Sequence, residues 1–161
     1  MGFWLLTRRN HGLEHATIAL LLLHAQANRI VAGYSVPAGF FVVGDVPTET
    51  VRQCAGEALE RMRQGERELA ISPFCGTNIL VAAALTTLGT LIAMRLTGGG
   101  PRGWARAFSN ATWAMVISRP LGRLAQRHYT TSADMEGMQI IRVSRWQLRR
   151  LVVHWVSTSI A

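Results

Sequence analysis

Apolar positions fall along this chain in blocks of different period, and each block predicts a different element. From His11 to about Asn28 the pattern is helical. Ala16 to Leu23 is apolar apart from Thr17, and Asn10 stands where an N-cap is expected. A helix with so little polar surface is buried nearly all round or half inserted in lipid, and it is short for a membrane span. Two β-rich runs follow, Arg29–Tyr34 and Gly39–Val43, on either side of a Ser-Val-Pro-Ala turn, and they predict a hairpin. Its second strand carries Phe40, Phe41, Val42 and Val43 in succession, as a strand covered on both faces does. Pro47-Thr48-Glu49 then opens a helix that runs to Arg63 or Gln64 and stops at Gly65. Its apolar stripe is Val51, Cys54, Ala55, Ala58, Leu59 and Met62.

The second half of the chain changes character. Ile79 to Met94 contains no charge, and with Thr77, Asn78 and Leu96 it approaches the ~20 residues a membrane span needs. Gly98–Gly103 is a break. Trp104 to Ser118 is a second, weaker apolar segment, with Trp104 and Trp113 suited to the membrane interface. The short connection predicts a helical hairpin that returns to the same side, the alternative being a re-entrant or surface-lying second helix. After Arg119-Pro120 a basic helix is expected, with Arg119, Arg123 and Arg127 on one face at the membrane boundary. Gly137–Val143 and Leu151–Ser157 have β character and can add strands to the first hairpin. The predicted fold is an α+β membrane protein: N-terminal helix, β-hairpin, helix, helical membrane hairpin and C-terminal β-strands. The expected divisions are 1–77, 78–118 and 119–161, the last packed on the first as one domain.

Charge sharpens this picture. All seventeen basic residues are arginine, and the formal net charge is +8. Residues 1–77 carry seven arginines against seven acids, so the excess lies beyond them, beside the apolar segments. That placement suits anionic lipid headgroups. A nucleic-acid partner, which would call for basic and aromatic residues interleaved on a polar domain, is not expected. Cys54 and Cys75 do not form a disulfide framework or a zinc ribbon. The start MGFWLLTRRNHG has too short an apolar stretch for a signal peptide, so secretion is not expected.

The pattern with most chemistry in it is His11-Gly12-Leu13-Glu14-His15. Residues four apart share a helix face, so His11 and His15 can grip one metal ion while Glu14 stands on the same side to act as a general base. Zinc sites of this type need a third protein ligand and leave a fourth position for water. Glu57 is the first candidate, at the edge of the second helix's apolar stripe. Glu60, Glu66 and Glu68 follow it, and Cys75 and Asn78 of the Cys75-Gly-Thr-Asn78 turn are further candidates. The structural alternative makes His11 and His15 polar residues at a helix start, with Glu14 favouring the helix dipole.

Two resemblances accompany these residues. The H-x-x-E-H segment alone resembles the inverzincin metallopeptidases. Asn10-His-Gly-Leu-Glu-His-Ala-Thr-Ile18, Gly33-Tyr-Ser-Val-Pro-Ala-Gly-Phe40, Cys75-Gly-Thr-Asn78 and Arg119-Pro-Leu-Gly122, with Gln126 and Thr130-Thr131, are together similar to an uncharacterised family of small bacterial membrane proteins. The second resemblance implies a membrane hairpin and supplies no activity. The expected function is a membrane-embedded, zinc-dependent metallopeptidase-like hydrolase acting on a peptide or membrane-protein substrate. Its location would be the inner membrane, with two spans and both termini cytoplasmic. The alternatives are a non-enzymatic membrane subunit or assembly factor of a larger complex, and a redox centre held by the same histidines.

Overall fold

A computed structural model describes residues 2–24, 31–98, 100–149 and 151–161. The chain forms two compact units, Met1–Ser72 with Arg127–Ala161, and Pro73–Gln126.

In the first unit the order is α1 (Phe3–His24), β1 (Ala32–Val36), β2 (Gly39–Val43), α2 (Thr48–Arg63), a 3-10 turn (Arg67–Ala70), β3 (Met138–Leu148) and β4 (Leu151–Ile160). The strands make one antiparallel sheet in the order β1-β2-β4-β3, so the C-terminal hairpin completes the sheet that the first one begins. Register places Phe40 opposite Val156 and Val42 opposite His154, while Arg145 faces His154 from the other side. Phe40, Val42, Val143 and Val156 point inward against Leu13, Ala16, Leu20 and Leu21 of α1 and the buried stripe of α2. Among the described residues of the first unit, α1 and α2 pack on this face. The consecutive apolar residues of β2 are explained on the other face by aromatic neighbours in the sheet, because Phe41 packs on Trp155 at 4.6 Å between ring centroids and on Trp146 at 6.2 Å.

Two expectations are corrected in α1. The helix begins at Phe3, so the His11–His15 segment lies in its middle and not at its start. Asn10 is therefore no cap. It is buried inside the helix, where its Nδ2 donates to the carbonyls of Val36 and Pro37 at 2.8 and 2.9 Å and its Oδ1 accepts from Thr158 at 2.7 Å. The polar pattern looked like a helix start because Asn favours caps. Tertiary partners instead satisfy it within the helix. The predicted extension of α1 to Asn28 and the strand residues Arg29 and Ile30 lie outside the described residues.

The second unit is an antiparallel helical pair, α3 (Gly76–Thr97) and α4 (Pro101–Ala125). Cys75 caps α3, its sulfur accepting from the Thr77 N–H. The expected break at Arg119-Pro120 does not occur. Pro120 removes the ladder bond to the Val116 carbonyl but α4 continues to Ala125, so Arg119 and Arg123 belong to that helix. Packing against α3 compensates at this point. Gly122 lies against Asn78, whose Oδ1 accepts from Gln126 Nε2 at 2.9 Å and whose Nδ2 donates to the Pro73 carbonyl at 2.9 Å. A β-carbon at Gly122 would overlap the Asn78 amide. Among the described residues one helix, α3, is long and apolar enough to cross a membrane. Its 22 residues rise about 33 Å.

His154 makes the first unit sensitive to acid. Its ring is fully buried, with neither nitrogen in hydrogen-bond geometry among the described residues. Burial is the largest effect and holds its pKa below the usual 6.5; the Val46 backbone opposes it, the Arg145 charge adds to it, and the Gly44 backbone and Asp45 oppose it more weakly. The unfolded chain thus takes up the proton first. Stability is complete above pH 6.5, falls as pH drops from there towards the folded value, and is level below it. His154→Leu should flatten that fall between pH 7 and 5, as read by thermal unfolding in a neutral detergent. An unchanged slope would assign the acid sensitivity to other groups.

Candidate metal site

The middle of α1 carries five polar side chains into the interior, and each meets a different part of the first unit. Arg9 reaches the Asp134 carboxylate and the Glu136 carbonyl, and Asn10 reaches the β1–β2 turn and β4. Glu14 accepts from Ser35 Oγ at 2.5 Å, within the range of a charge-assisted bond. His15 bonds the Ala70 carbonyl, and Thr17 bonds back to Leu13. Ser35 sits two residues after Gly33 on β1, so both face the same way. A β-carbon at Gly33 would overlap the Glu14 carboxylate. Glycine at 33 thereby lets the strand approach an acid that is 5% exposed.

The two histidines are oriented alike. His11 Nδ1 lies 2.9 Å from the Thr130 carbonyl oxygen, and His15 Nδ1 lies 2.8 Å from that of Ala70. A carbonyl oxygen can only accept, so each Nδ1 carries a proton, and the neutral form of each ring has its lone pair on Nε2. The ring centroids are 4.4 Å apart at an interplanar angle of 61°, and a ligand nitrogen of one ring lies within 4.8 Å of one on the other. Backbone acceptors that fix the tautomer in this way are the usual support of metal-ligating imidazoles.

The acidic candidates of the first unit stand elsewhere. Glu57 is not brought to the histidine pair: its carboxylate lies 3.9 Å from His24 Nε2 and 3.3 Å from Arg61. His24 is nine residues beyond His15, about 13 Å along the helix. The periodicity of α2 placed Glu57 near its apolar stripe, but the crossing of the helices sets it against the far end of α1. Glu60 accepts from Gln64 at 2.8 Å. Glu66 is held by Arg61, whose hydrogen bond keeps its pKa below the ordinary range. Glu68 pairs with Arg127 on the surface. Cys75 and Asn78 belong to the second unit, with the local roles already given. Cys54, close to Glu57, is a buried thiol whose pKa is raised by burial and then by the Glu57 charge.

Sequence reasoning missed the supports. Ser35 and Gly33 were visible only as an alternating small pair inside a strand, and carbonyl oxygens carry no residue-type signal. The acceptors of the histidines come from residues 55 and 119 positions away in the chain, a distance no local pattern spans.

Comparisons with known proteins show the family of the chain. The model of a family described as a domain of unknown function, DUF6391, matches residues 6–143. An uncharacterised protein of Picosynechococcus sp. is 34% identical over 143 residues, which are 81% of this chain and 68% of the relative. No solved structure matches.

Removing the hydroxyl that holds Glu14 should be costly. Ser35→Ala is expected to lower stability by about 2 kcal/mol, since it strips a hydrogen bond from a buried carboxylate. Gly33→Val should lower it further by forcing that carboxylate aside. Unfolding by denaturant in detergent measures both, and a loss under about 0.5 kcal/mol for either would mean that Glu14 is not held as described.

Proposed function

The chain belongs to the DUF6391 family, and we propose that it is a membrane-anchored metalloprotein, in the first reading a zinc-dependent metallopeptidase-like hydrolase. The observation that carries the metal is the matched pair of imidazoles, each pinned through Nδ1 to a backbone carbonyl so that both Nε2 atoms bear lone pairs a helical turn apart. His11 and His15 are the two ligands. Zinc bound there would polarise a carbonyl and lower the pKa of a bound water. In this reading the Glu14 carboxylate would be the general base.

The membrane part of the proposal has its own support. α3 is long and apolar enough to span, and α4 beside it leaves Trp104, Phe108, Trp113, Val116 and Ile117 exposed. We propose two spans in the inner membrane with both termini in the cytoplasm. The arginines beyond residue 118 then lie on the cytoplasmic side, and the substrate is a peptide near the bilayer surface.

A second reading is favoured by one contact. The Glu14 carboxylate is bound by Ser35 and crowded by Gly33, which suits a structural acid in a non-hydrolytic metal-binding subunit. Metal analysis of protein purified without chelators tests the shared premise. About one equivalent of zinc is expected in the native chain, falling at least tenfold in His15→Ala. Less than a tenth of an equivalent in the native chain would sink both readings. Cys75→Ser, measured alongside, tests the thiol among the sequence candidates for the third ligand. Glu14→Gln separates the readings, because the hydrolase should keep its metal and lose at least a hundredfold in peptide cleavage. A metal-loaded native protein with no peptidase activity would favour the subunit.

A further inference from the structure

The first unit has a cleft of about 920 Å³ between the end of α2 with the following 3-10 turn and the segment from Arg127 to Gly137. Its volume is that of a small-molecule site. Four arginines from separate stretches of chain line it: Arg8 from α1, Arg63 from α2, Arg67 from the 3-10 turn, and Arg127. Three carboxylates share the walls, but two of them are already matched. Glu68 pairs with Arg127, and Asp134 is held by Arg9 together with the Glu136 N–H.

The remaining cations keep their charge. Arg8 donates through Nε and Nη2 to the Thr131 carbonyl and through Nη2 to that of His128, and Arg63 donates to the Met138 carbonyl. Bonds to neutral carbonyls orient a guanidinium without neutralising it. Arg67 is exposed and shares the Asp134 carboxylate's field with Arg9, and Glu136 is the remaining acid of the lining, so the cleft carries more cations than acids.

We propose that this cleft is a binding site for a phosphate-bearing anion. Guanidinium forks arriving from several directions suit the tetrahedral oxygens of phosphate, whereas a planar carboxylate offers only two acceptors to one fork. The site is distinct from the histidine pair, although Ala70 lines the cleft while its carbonyl holds His15.

The test uses the full chain in a neutral detergent, treated with chelator so that its outcome does not depend on the metal reading. Inorganic phosphate and a short-chain phosphatidylglycerol are titrated separately by calorimetry at low salt. Saturable binding of inorganic phosphate supports a free phosphate compound as the source, and binding of the lipid alone supports a headgroup. In either case Arg67→Gln should weaken binding at least tenfold, and Glu136→Gln should strengthen it. Arg52→Gln, whose guanidinium pairs with Glu49 away from the cleft, should leave it unchanged. No saturable binding of either compound, or an affinity indifferent to Arg67→Gln, would overturn the proposal.

Discussion

The first unit depends on burying a helix that is not fully apolar. Arg9, Asn10, Glu14, His15 and Thr17 lie between Leu13, Ala16, Leu20 and Leu21 in the same interior. An unmatched polar group there would be destabilising by about 1–3 kcal/mol. Each is matched by a different element, and four of the five by an element distant in sequence. Burying α1 therefore requires the β1–β2 turn, the 3-10 turn, the Asp134–Glu136 turn and β4 to be in position together. Asn10 is the strongest single example, since it joins the turn of one hairpin to a strand of the other.

The histidine pair follows from this constraint. A helix alone would set His11 and His15 on one face with freely turning rings. The carbonyls of Thr130 and Ala70 fix both rings in the same tautomer, and that converts a spacing into a possible coordination site. Glu14 is fixed by the Ser35 hydroxyl, towards β1, so the proton acceptor of the proposed chemistry is also a strut between α1 and the sheet.

The second unit has a comparable tie at smaller scale. The Cys75–Asn78 turn and the Gly122 and Gln126 positions meet, so two motifs separated by more than forty residues form one amide cluster. This explains why α4 runs on through Pro120: the residues that hold it to α3 lie beyond the proline.

The chain's own pattern determined the succession of elements, the two apolar helices, the extent of α2 and the pairing of His11 with His15, because these rest on local periodicity and spacing. It did not determine that α1 begins at Phe3, that Asn10 is an interior residue, or that Glu57 stands by His24. Those outcomes depend on where two helices cross and which backbone carbonyls they meet, and a carbonyl looks the same at every position of a sequence. Tertiary structure alone decided which polar residues are matched inside, and so which of them are placed for chemistry.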